Sequence, residues 1–130
     1  MRVPVSLCTS YSMANKKALI DLGATNNFIH PHFAERMGLG SRMLSQPWKI
    51  WNINGTPNKG GLLTHYINLD VQTKGVHKEM CFLITDLGGE DIILGYPWLA
   101  TFEPQITWAT VTIEVSALPI VIRTVNMSLP

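Results

Sequence analysis

The chain has 130 residues, 46% of them hydrophobic and 15% charged, with a formal net charge of +1. That is enough apolar material for one domain, residues 1–130, built on a single core, and too much for a disordered tail. The balanced charge without a basic run excludes a nucleic-acid surface, and the apolar runs are too short to span a bilayer.

In chain order, Val3 to Cys8 alternates like a half-buried strand, with Pro4 at an edge or a strand start. With only one basic residue and a short apolar run, this start makes a poor signal peptide. Ser10 to Asn15 is turn-like, and Lys16 to Asp21 returns as a second strand. Within it, Ala18-Leu19-Ile20 is a short buried run that delivers Asp21 to a glycine turn. Gly23 permits a sharp bend and a close backbone approach, so the acid stands on a rigid support. The same pattern also fits an aspartate that only caps its own turn. Asn26 to Ile29 reads as an extended segment or a bend. A short helix is predicted over His32 to Met37, with Pro31 in its first turn and Gly38 just past its end; Phe33 and Met37 face the core. His30 and His32, flanking Pro31, are read as loop or helix-start residues.

Gly40 to Gln46 is a predicted polar loop. Trp48 to Ile53 is strand-like, Asn54-Gly55 is a strong hairpin turn, and Thr56 to Gly61 extends that turn with Pro57, Gly60 and Gly61. Leu62 to Val71 is the return strand. Gln72 to Gly75 turns the chain, Val76 to Thr85 is a strand, and Asp86 to Glu90 is another turn. Asp91 to Leu94 is a buried strand meeting Gly95, followed by a short helix from Pro97 to about Phe102 that Pro104 stops. Gln105 to Trp108, Val111 to Val115 and Pro119 to Val125 are further β-rich segments. Cys8 and Cys81 lie in apolar runs and read as buried free thiols of a cytosolic chain. Neither has a histidine at metal-ligand spacing, and His65 and His77 have no partner evident in the sequence. The four tryptophans read as core, with Trp48 and Trp51 also candidates for a cleft wall. Short β-rich segments divided by Gly, Pro and Asn predict a mostly β fold, a closed or nearly closed small barrel with one or two short helices.

The stretch Ala18 to Phe28 resembles the active-site segment of retropepsin-like aspartic proteases, above all those of Ty3/gypsy-type retrotransposons. Their pattern is apolar-apolar-Asp-Ser/Thr-Gly-Ala, often followed by Thr and an Asn-Phe-Ile stretch. Asp21, Gly23, Ala24, Thr25, Asn27, Phe28 and Ile29 match it; Leu22 stands where the family has a hydroxyl residue. The hairpin at Asn54-Gly55 resembles the family's substrate-covering flap. Asp91 to Leu99 resembles its second signature, apolar-Leu-Gly before a helix. Gln105-Ile106-Thr107-Trp108 is similar to its next strand, usually Ile-Asp-Trp, with Thr107 replacing the acid. The likeness covers about Val3 to Trp108 and is weakest over 109–130, which in the family commonly joins a dimer interface.

The resemblance implies an aspartic endopeptidase of retropepsin fold that assembles as a two-fold homodimer. Asp21 would be catalytic, one per subunit, because a subunit with one such acid segment completes the required pair only with its copy. Leu22, Gly23, Ala24 and Thr25 would form the active-site loop. Asn54, Gly55 and Thr56 would be the flap that binds an extended peptide or polyprotein substrate, and Ile93, Leu94 and Gly95 the structural second signature, with Asp91 also structural. No metal or organic cofactor is implied, and the expected location is intracellular, in the cytoplasm. Leu22 keeps a rival reading open: a domesticated or decaying domain without activity that persists as a dimerisation or binding module. A small β-barrel binding module unrelated to proteases is a third.

Overall fold

A computed structural model describes residues 1–21, 23–51, 57–102, 106–107, 112–113 and 120–125. The first hairpin joins β1 (Arg2–Cys8) to β2 (Met13–Ile20). Then follow β3 (Asn27–Ile29), α1 (Pro31–Arg36), β4 (Arg42–Trp51), β5 (Pro57–Thr73), β6 (Val76–Ile84), β7 (Ile92–Leu94), α2 (Tyr96–Phe102), β8 (Ile106–Thr107), β9 (Thr112–Ile113) and β10 (Ile120–Thr124). The main sheet has the order β10-β1-β2-β7-β3-β6-β5-β4, and β10 also pairs with β5. Seven strands therefore close into a barrel, as the sequence predicts, with two short helices. β4 remains outside the ring, paired among the described residues with β5 alone, and β8 and β9 form a separate two-stranded sheet.

Closure follows from alternation. Val3, Val5 and Leu7 on β1, Ile67, Leu69 and Val71 on β5, and Ile120 and Ile122 on β10 all point inward and are buried. Strand side chains repeat every two residues, so one closed ring buries one face of each strand. Phe33, Ala34 and Trp98 bring the helices onto the same core.

The unusual step is β7. It runs parallel to β2, with Leu19 opposite Ile93 and Ile20 opposite Leu94, and antiparallel to β3, with Phe28 opposite Ile93. β2 and β3 are consecutive in sequence, yet a strand from much later in the chain lies between them. Ala24 and Asn26, between β2 and β3 in sequence, lie against Gly95 and Tyr96 at the end of β7.

Several expectations are corrected. Residues 42–46 of the predicted Gly40 to Gln46 loop belong to β4: Arg42 and Met43 pair with Tyr66 and His65 of β5, and the register breaks between Met43 and Trp48. β2 begins at Met13, inside the predicted turn, and β5 begins at Pro57 despite Gly60 and Gly61. Cys81 is exposed and Cys8 half-buried, since inward Met80 and Phe82 turn Cys81 outward. Trp48 is 49% exposed, whereas Trp98 is fully buried. His77 does have a partner, Asp70, at 2.9 Å, and His65 Nδ1 lies 2.8 Å from the Thr64 hydroxyl. The helix signals hold: Pro31 opens α1, Gly38 follows it at φ +68°, and the His30 ring caps its first turn by accepting from the His32 N–H.

Trp98 is pinned by one bond, its indole N–H donating to the Thr73 hydroxyl at 3.2 Å, both residues buried. Thr73→Val keeps the shape and removes the acceptor. The stranded indole N–H should cost about 1–3 kcal/mol, read as a lower midpoint in urea unfolding; an unchanged midpoint would contradict it.

Candidate active site

Asp21 lies one residue beyond β2, half-buried at the end of the apolar run Ala18 to Ile20. Its carboxylate Oδ1 accepts from the Gly23 N–H at 3.0 Å, an Asx turn. Its backbone N–H donates to Leu94 O at 3.0 Å, and its carbonyl accepts from Ala24 N at 3.2 Å. Three consecutive residues of the β7–α2 turn hold the acid loop. Leu94 O accepts from Asp21 N, Gly95 N donates to Asn27 Oδ1 at 2.9 Å, and Tyr96 N donates to Ala24 O at 2.8 Å. Gly95 permits this contact. A Cβ there would stand 2.7 Å from Ala24 O, 3.1 Å from Ala24 Cβ and closer still to Asn26 O.

The structure thus brings together Asp21, Ala24, Leu94 and Gly95. Ile93, half-buried, pairs beside Leu19 and Phe28. Gly23 and Thr25 are exposed on the same short loop. Leu22 and the hairpin tip with Asn54, Gly55 and Thr56 lie outside the described residues. Asn27, which the sequence reading matched but gave no role, is buried at 1% exposure and bonded to Gly95. Its signal was available: a polar residue between the apolar Phe28-Ile29 pair and the glycine turn.

The chain holds a second Asp-Leu-Gly, Asp86-Leu87-Gly88, that the resemblance does not use. It makes the same turn, with Gly88 N donating to Asp86 Oδ1 at 2.8 Å. That bond holds the Asp86 carboxyl below its ordinary range; partial burial opposes the shift, and the charge of His30 adds to it. Asp86 is engaged with His30, whose Nε2 lies 3.2 Å away. It does not meet Asp21. Leu19, Ile93, Phe28 and Leu83 lie on one row across β2, β7, β3 and β6. β2 and β6 run in opposite senses, so Asp21 leaves that row one way while β6 carries the chain toward Asp86 the other way.

The loop before β7 is tied down by ion pairs. Glu90 accepts from Arg2 Nε at 2.8 Å, and Asp91 lies 3.2 Å from Lys16 Nζ and 3.8 Å from Arg36. These pairs place Asp91 in the scaffold. Among the described residues no group of three His, Cys, Asp or Glu side chains could hold a metal, and no helix is long and apolar enough to cross a membrane.

Comparison with known proteins agrees with this architecture. The chain is similar in fold to the retroviral protease-like domain of Ddi1 from Leishmania major, with a TM-score of 0.51 at 17% identity, covering 100% of this chain and 97% of that one. The family described as the PEG10/RTL1 protease domain matches residues 17–118, from within β2 through the helix α2 and beyond. With the acid segment and the Leu-Gly turn both inside that span and bonded to each other, the chain belongs to the PEG10/RTL1 protease domain family, a retropepsin-like protease domain.

Proposed function

We propose that this domain is an aspartic endopeptidase of the Ty3/gypsy retrotransposon type, acting on an extended peptide or polyprotein segment. Asp21 from each of two copies forms the catalytic pair. The observation that carries the reading is Asp21 itself: a half-buried carboxylate fixed by its own turn and by the β7–α2 turn, with the only other Asp-Leu-Gly directed elsewhere. Aspartic proteolysis needs one ionised and one protonated carboxyl in the same step, which a single acid cannot supply. Two carboxyls brought together cannot both ionise, so they share one proton. The charged one takes a proton from the attacking water while the protonated one polarises the scissile carbonyl. A two-fold dimer supplies the second copy. Asn54, Gly55 and Thr56 form the flap whose backbone groups bind the substrate strand. Neither metal nor organic cofactor is required.

Leu22 sets the level of activity. In the family the hydroxyl at this position bonds across the dimer and braces the two loops; leucine can neither donate nor accept that bond. Small misplacements at a catalytic centre cost about 100-fold in rate, so the parent protein should cleave weakly. Leu22→Ser should raise cleavage at mildly acidic pH by at least about tenfold, equal to roughly 1.4 kcal/mol in the barrier. The assay compares the parent with Leu22→Ser, with sedimentation run alongside. If the parent already cleaves as fast as Leu22→Ser, the brace argument fails. If both dimerise and neither cleaves, the protein is a dimerising module. If neither forms a dimer yet cleavage persists, the shared pair is wrong.

A further inference from the structure

We infer that the Asn27 carboxamide is a positioning residue for Asp21, an inference that rests on the endopeptidase reading above. Two of the three bonds between the β7–α2 turn and the acid loop are backbone to backbone, from Asp21 N to Leu94 O and from Tyr96 N to Ala24 O. The turn geometry supplies those whatever the side chains. The central one is different: the Gly95 N–H has a side-chain acceptor, Asn27 Oδ1, at 2.9 Å. Gly95 is buried, so its N–H depends on that acceptor rather than on bulk solvent.

The other end of the amide explains why the residue is asparagine. Asn27 Nδ2 faces the Met80 sulfur at 3.8 Å, a weak acceptor that an N–H can approach. One group must therefore accept from Gly95 and present a donor to Met80 while remaining neutral in a buried site. A carboxamide does all three. Leucine keeps the branched heavy-atom skeleton, adds some bulk and strands the Gly95 N–H. Asn27 sits on β3, between β6 and β7, and its bond crosses to the residue that ends β7. It thereby fixes Gly95, against which the Ala24 and Asn26 carbonyls of the acid loop pack, inside one protomer and independently of any brace that a partner supplies.

The test uses two near-isosteric variants of the full chain, Asn27→Leu and Asn27→Asp, at mildly acidic pH. Aspartic acid keeps the oxygen that accepts from Gly95. Amide hydrogen exchange by NMR should show Gly95, Asp21 and Tyr96 exchanging at least about tenfold faster in Asn27→Leu. Val71 and Ile122 in the barrel should be unchanged, and Asn27→Asp should stay close to the parent. In a background that cleaves peptide, Asn27→Leu should lower kcat by a similar factor with KM unchanged, and Asn27→Asp should recover most of it. Unchanged loop amides in Asn27→Leu would overturn the inference. So would equal acceleration in the barrel, or a loss carried by KM. If no background cleaves, the endopeptidase reading fails by itself, and the exchange pattern still decides whether Asn27 holds the loop.

Discussion

Asp21→Asn, introduced beside Leu22→Ser, is expected to abolish the peptidase activity, lowering kcat/KM by at least about 100-fold, the lower end of what a positioned acid or base contributes. The substitution is chosen for what it keeps. An asparagine carbonyl can still accept from Gly23 N–H, so the turn at 3.0 Å survives. The backbone bonds to Leu94 and Ala24 do not involve the side chain. What disappears is the ability to exchange a proton, and it disappears from both members of the pair at once. Sedimentation and circular dichroism should match the Leu22→Ser parent. Activity retained in the double variant would place the catalytic acid elsewhere, with Asp86 the next to test. A loss of the dimer would instead make Asp21 a structural residue.

Gly95→Ala should produce the largest loss of stability of any single methyl added to the chain's described glycines. Its Cβ would stand 2.7 Å from Ala24 O and nearer to Asn26 O, both backbone atoms that cannot rotate away. Either the acid loop or the β7–α2 turn must move, and the three bonds between them lengthen together. Overpacking of this kind costs about 1–3 kcal/mol, against a total of roughly 5–15 kcal/mol for a domain. Gly89→Ala is the control: nothing lies within 4 Å of a Cβ there and its backbone is not left-handed, so its effect should stay within about 0.5 kcal/mol. Urea unfolding midpoints of the two variants measure the contrast. Equal midpoints would show that the loop yields without cost. In an active background Gly95→Ala should also reduce cleavage, because the displaced segment carries Asp21.

Much of this architecture is local. Ala18-Leu19-Ile20 running into Asp21 and Gly23 encodes a buried strand that ends at an acid, since apolar spacing and glycine freedom act over a few residues. Pro31 and Gly38 bound α1 for equally local reasons: one lacks an N–H that the first turn does not need, and the other accepts a left-handed φ. The glycine turn at Leu94-Gly95 and the helix after it are legible in the same way. The partners of those pieces are not. β7 is three residues long, and nothing within Ile92–Leu94 says that it fits between β2 and β3. That place is decided by pairing with Leu19 and Ile20 on one side and Phe28 and Ile29 on the other, and by closure of the barrel around Val5, Leu69 and Ile122. Arg42 and Met43, inside the predicted loop, become strand through their pairing with Tyr66 and His65 of β5. The outward turn of Cys81 depends on the pleat of β6, which a continuous apolar run conceals. The sequence alone therefore determined the acid, its glycine turn and the helix ends. Only the tertiary structure decided that Asp21, Asn27 and Gly95 meet, because that contact depends on long-range strand pairing.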